Sequence, residues 1–148
     1  MTSRTNLMEQ APDVFRTLLA FSQASVEGLD PTVEKLVKIR ASQINHCAYC
    51  LDMHITDARK DGESDDRIFL LNAWEEADGL YTDKERAALA LTESITLLTD
   101  GFVPDAVYAR AAEHFDEAEL ARLVSTIVTI NAWNRFNVAL RVQPAIAK

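Results

Sequence analysis

Residues 30–60 read DPTVEKLVKIRASQINHCAYCLDMHITDARK, and their pattern decides the fold class. Asp30 ahead of Pro31 is an N-cap followed by proline at the first helical position, where a missing N–H breaks no bond. Behind it Val33, Leu36, Val37, Ala41 and Ile44 follow helical spacing and lay one apolar stripe along a helix that should run to about Asn45. After a break at Asn45 and His46, a second helix is expected over Ala48–Lys60, stopped by Gly62. The two cysteines, Cys47 and Cys50, therefore straddle a helix N-terminus.

The same signals recur on either side of this stretch. From Pro12 to Glu27 the residues Val14, Phe15, Leu18, Leu19, Phe21 and Val26 recur mainly at helical intervals, with Gly28 as a stop. Ser64 caps a shorter helix holding Ile68, Leu70 and Leu71. Thr82 with Glu85 forms a capping box for a helix from Asp83 to about Thr99, broken by Gly101. Pro104 opens another helix through His114, and Asp116 with Glu119 repeats the box ahead of an apolar run from Leu120 to Leu140. That run is apolar nearly all round, which predicts burial in the core and against another subunit. No β-alternation of useful length, internal repeat or low-complexity segment interrupts the series. The expectation is an all-α fold, a compact helical bundle of about six or seven helices forming one domain over residues 1–148.

Composition narrows the function classes. The 148 residues carry 15 Lys and Arg against 23 Asp and Glu, a formal net charge of −8 that repels nucleic-acid phosphates and anionic membrane surfaces. Neither nucleic acid nor membrane is expected as a partner. The first seven residues lack an apolar signal core, and no stretch reaches the roughly 18 apolar residues of a membrane span. A cytoplasmic location is expected. With only two cysteines, three positions apart, the chain has no framework of long-range disulfides, so the pair needs a local explanation.

A C-x-x-C at a helix start suits redox chemistry, because unpaired N–H groups and the positive end of the helix dipole stabilise a thiolate, and the short spacing lets one thiol close a disulfide on the other. His54 lies four residues after Cys50 and seven after Cys47, on the same helical face, where an imidazole can take a thiol proton. The expected catalytic residues are Cys47, Cys50 and His54, with no cofactor and no metal. The competing reading is half a structural zinc site, with His54 or His46 as third ligand and His114 or a carboxylate as fourth. His46 is read as a surface side chain. Tyr49 and Asp52 flank the thiols without an assigned role, and Asn131, Asn134 and Arg135 in the last helix, with Trp74 and Trp133, are read as packing residues before substrate contacts.

The run Leu36–His54, together with Asp57–Lys60, Leu71–Trp74, Glu85–Leu89 and Thr129–Arg135, resembles the AhpD-like alkylhydroperoxidases of the carboxymuconolactone decarboxylase superfamily over most of the chain. The resemblance implies an all-α protein assembled as a homotrimer or homohexamer, reducing a hydroperoxide substrate at the cysteine pair and restored by a thiol reductant. It implies Cys50 as the attacking thiol, Cys47 as its resolving partner and His54 in a proton relay, an order that spacing alone leaves open. Two positions depart from that pattern. The relay glutamate is Lys35 here, and the histidine between the cysteines is Tyr49. A lysine at that position could favour a thiolate, or another carboxylate such as Glu93 could accept the proton. The alternatives are a disulfide reductase or redox relay without peroxidase activity, and a non-enzymatic redox-sensing or zinc-binding oligomer.

Overall fold

A computed structural model describes residues 4–146. Among them the chain forms α1 (Leu7–Gln10), α2 (Pro12–Ser25), α3 (Pro31–Ile44), α4 (Ala48–Lys60), α5 (Asp65–Leu70), a 3-10 turn (Leu71–Ala73), α6 (Asp83–Thr96), α7 (Asp105–Ala112) and α8 (Glu117–Leu140), with no strand. The all-α expectation holds, and the helix starts follow the caps. Asp30 accepts from the Thr32 N–H, and both Thr82 with Glu85 and Asp116 with Glu119 form reciprocal capping boxes that satisfy two orphan donors each.

The helix count exceeds expectation because α1 is a single four-residue turn, capped by Asn6 and burying nothing, so it leaves no periodic trace. Helix ends also shift. The helix from Asp83 stops at Thr96 rather than Thr99, the one from Pro104 stops at Ala112 rather than His114, and Leu71 opens the 3-10 turn instead of closing α5.

Two clusters of buried side chains share α3 and α6. Val33 and Val37 pack with Leu91, Leu123 and Ile127 in one, while Leu36 and Ile39 pack with Ala58, Leu71, Trp74 and Leu89 in the other. Helix α3 is therefore central, and each fully buried aliphatic side chain along it contributes about 1.5–3 kcal/mol. Helix α8 touches α2, α3, α4, α6 and α7, which accounts for a helix that reads as apolar on nearly every side. By contrast α2 buries only Ser25. Its Val14, Leu19 and Phe21 are exposed, and Phe15 and Leu19 turn towards a cavity described below.

Candidate active site

The reversal between α3 and α4 is built from its termini. His46 adopts the left-handed conformation (φ 53°), the Cys47 N–H donates to the Ser42 carbonyl at 3.0 Å, and the His46 N–H donates to the Gln43 carbonyl at 3.2 Å. This is a Schellman ending for α3. Its last residue, Cys47, serves at once as the N-cap of α4, its sulfur accepting from the Cys50 N–H at 3.3 Å. The two cysteines are disulfide-bonded with Cα atoms 5.3 Å apart, and both are 1% exposed. The helix end expected from the sequence is thus present, and one sulfur accepts one of its orphan N–H groups.

Three asparagines spaced by three along one face of α8 back this reversal. Asn131 and Asn134 each accept through Oδ1 from Asn45 Nδ2 at 2.9 Å, and Asn134 Nδ2 donates to Ser42 Oγ at 3.0 Å. Asn131 Nδ2 in turn donates to Thr96 Oγ1 at 3.0 Å. Buried amides need such partners, and here the partners are the last turn of α3 and the residue that leads into the cysteine loop. Asn137, the third of the row, donates from Nδ2 to Cys50 Sγ at 3.4 Å.

Cys50 and His54 line a common cavity of about 530 Å³, whereas Cys47 does not line it. The wall is largely apolar, with Phe15 edge-on to Trp133 at 5.4 Å between ring centres, and Met53, Phe136 and Leu140 beside them. Residues 4–8, ahead of and within α1, close one side, held in part by an Arg4 guanidinium donating to the Ala139 carbonyl at 2.6 Å. Burial, aided by the nearby Lys38 charge and opposed by Asp57, pushes the His54 imidazole from 6.5 down to about 4. With the disulfide closed, His54 is therefore neutral at physiological pH.

The lysine at the cavity is Lys38, not Lys35. Lys38 Nζ lies 2.6 Å from Glu34 Oε1, one turn back on α3, while Lys35 turns away to Asp61 at 2.6 Å. The relay position occupied by Lys35 consequently falls outside this cavity. Glu93, considered as a proton acceptor, is engaged elsewhere by Arg40 Nε (2.8 Å) and Trp74 Nε1 (2.7 Å) and does not line the cavity. Tyr49 does line it, and Asp52 accepts from the Ala145 N–H, tying the C-terminal segment to α4. His46 is exposed on the loop, and His114 follows α7 away from the cavity lining. Among the described residues no group of three His, Cys, Asp or Glu side chains is arranged to hold a metal ion.

Trp133, read as packing, is a cavity wall residue, while Trp74 is core as expected, 4% exposed. Sequence reading overlooked Lys38 and Asn137. The recurrence of asparagine at 131, 134 and 137 was the signal for the second, since residues three apart share a helix face.

Comparison with known proteins agrees with this architecture. Residues 12–94 match the family model of the carboxymuconolactone decarboxylase family. The uncharacterized protein YdfG of Bacillus subtilis is 43% identical over 141 residues, 95% of either chain. Among solved structures, ATU0492 of Agrobacterium tumefaciens, a protein of unknown function proposed to be the antioxidant defence protein AhpD, superposes with a TM-score of 0.93 at 33% identity, covering 99% of this chain and 100% of that one. The debrominase Bmp8 shares the fold at a TM-score of 0.78 and 17% identity, over 93% of this chain and 74% of its own.

Proposed function

The chain belongs to the carboxymuconolactone decarboxylase family, and from that premise we propose that it is a thiol-dependent peroxidase that reduces organic hydroperoxides at Cys50. The observation that carries this reading is that Cys50 faces a largely apolar cavity of about 530 Å³ together with a neutral, buried imidazole, while its disulfide partner lies behind it. That volume suits a ligand far larger than hydrogen peroxide.

In the reduced protein His54 takes the Cys50 proton, and the thiolate attacks the terminal peroxide oxygen. The S–O bond forms as the O–O bond breaks, and the imidazolium returns its proton to the departing alkoxide. Cys47, held at the helix N-cap where thiolate is favoured, then attacks the Cys50 sulfenic acid. The S–S bond closes and the hydroxyl leaves as water, carrying the Cys47 proton. One hydroperoxide and two thiols thus become alcohol, water and disulfide. An external dithiol restores the pair, which assigns the reaction to a reducing compartment such as the cytoplasm. No helix of the described residues is long and apolar enough to cross a membrane.

The test is a free-thiol count on reduced protein before and after one equivalent of an aryl-alkyl hydroperoxide, with zinc measured on the same sample. Rapid loss of both thiols from metal-free protein is expected. Thiols inert to peroxide but reactive towards a small disulfide would overturn the reading in favour of a disulfide reductase, and stoichiometric zinc would replace it with a metal site.

We further propose that the protein works as a homotrimer or homohexamer. Val14 and Phe21 on α2 and Val128 and Val138 on α8 are 41–45% exposed, more apolar surface than one protomer covers. Light scattering at micromolar concentration should give three or six protomer masses, and a monomer would overturn the assembly.

A further inference from the structure

We propose that Asn137 is a catalytic residue that stabilises the Cys50 thiolate by donating a hydrogen bond to its sulfur. This rests on the reading of Cys50 as the reacting thiol. Asn137 Nδ2 lies 3.4 Å from Cys50 Sγ, and the residue lines the same cavity as Cys50 and His54. A disulfide sulfur is a weak acceptor and a thiolate a strong one, so the same contact tightens as the pair is reduced and Cys50 gains charge.

The donor is fixed before any substrate arrives. Asn137 sits in the last turn of α8, where its carbonyl accepts from the Val142 N–H at 3.0 Å and from the cap residue Arg141, so the backbone that carries the amide is tied at the helix end. Asn134 and Asn131, about one and two turns earlier, hold Asn45 and Ser42 and with them the position of the cysteine loop. Helix α8 thus both places the loop and supplies a donor to one of its sulfurs.

The two sulfurs are served differently. Cys47 receives the backbone N–H of Cys50 at the helix start, a donor no side-chain substitution removes. Cys50 receives only a side-chain amide among the hydrogen bonds described, so a substitution at residue 137 can remove it. An external thiolate entering the cavity meets Cys50, so in the reductive step the new S–S bond forms to Cys50, the Cys47–Cys50 bond breaks, and the electron pair stays on Cys47 at the α4 N-cap.

The experiment is the pH dependence of iodoacetamide alkylation of Cys50 in a Cys47→Ser background, which leaves one thiol to titrate. Asn137→Leu should raise the Cys50 pKa by about one unit and slow alkylation at neutral pH about tenfold. Asn137→Asp, which keeps the shape but replaces the donor by a charged acceptor, should raise it further. Asn137→Gln, which keeps a donor, should recover part of the shift. Equal pKa values in all three variants, with only the melting temperature changed, would assign Asn137 a structural role and overturn the proposal. Alkylation involves no peroxide, so a shift of this kind in a protein inert to hydroperoxide would sink the peroxidase reading and leave the role of Asn137 standing.

Discussion

Cys50→Ser is expected to abolish the rapid consumption of hydroperoxide by the reduced protein, a loss of about a thousandfold or more, because no other thiol lines the cavity. Cys47→Ser should behave otherwise. It should still consume one equivalent of hydroperoxide, stop at the Cys50 sulfenic acid and form no intramolecular disulfide, visible by mass spectrometry as one added oxygen on Cys50. Two effects oppose each other in choosing the attacking thiol. Thiolate stability favours Cys47, whose sulfur caps α4 and accepts the Cys50 N–H. Access favours Cys50, which lines the cavity and has His54 one turn away. The thiolate that cannot meet the peroxide contributes nothing, so access decides. If the added oxygen instead appeared on Cys47 in the Cys50→Ser protein, the two roles would be reversed and the cavity would not be the route of the substrate.

Much of this site is visible in the sequence because it depends on local rules. The Asp30–Pro31 start, the two capping boxes and the stripe on α3 are each written in fewer than about five turns of chain, and helix formation reads them directly. Cys47, Cys50 and His54 are grouped in the same way, from spacing, and in the fold Cys50 and His54 line one cavity while Cys47 does not. What sequence does not carry is which helix face meets which neighbour. Lys35 and Lys38 lie only three positions apart on α3, yet one reaches Asp61 beyond α4 and the other the redox cavity. Periodicity cannot separate them, because the 60° between their directions matters only once α4 and α8 are docked. The cavity is invisible for the same reason. Its wall joins α1, α2, α3, α4 and α8, and an apolar residue such as Leu19 or Trp133 has the same sequence signature whether it packs or lines a space.

Lowering the pH is expected to destabilise the oxidised protein through His54, by about 3 kcal/mol between pH 6.5 and 4. The sign follows from the direction of the shift. In the folded chain the imidazole titrates near 4, against 6.5 unfolded, chiefly because burial penalises its charge, with Lys38 adding to the effect and Asp57 opposing it. Above pH 6.5 both states are neutral at this site and the full stability is present. As the pH falls through 6.5 the unfolded chain takes up a proton that the folded chain refuses, so stability drains away until the folded imidazole titrates as well near 4. Urea unfolding across this range, on wild type and His54→Phe, isolates the contribution, because phenylalanine keeps a buried ring without a proton site. The stability difference between the two proteins should be constant above pH 6.5 and shift by about 3 kcal/mol in favour of the variant by pH 4. Lys38→Met should raise the His54 pKa and narrow that shift, while parallel curves for wild type and His54→Phe would refute the assignment. The stability lost in acid has the same origin as the chemistry proposed at neutral pH. Burial withholds the proton while the cysteines are bonded together; once they are reduced, the negative charge of a Cys50 thiolate offsets that penalty, so His54 takes the proton only as the thiolate forms.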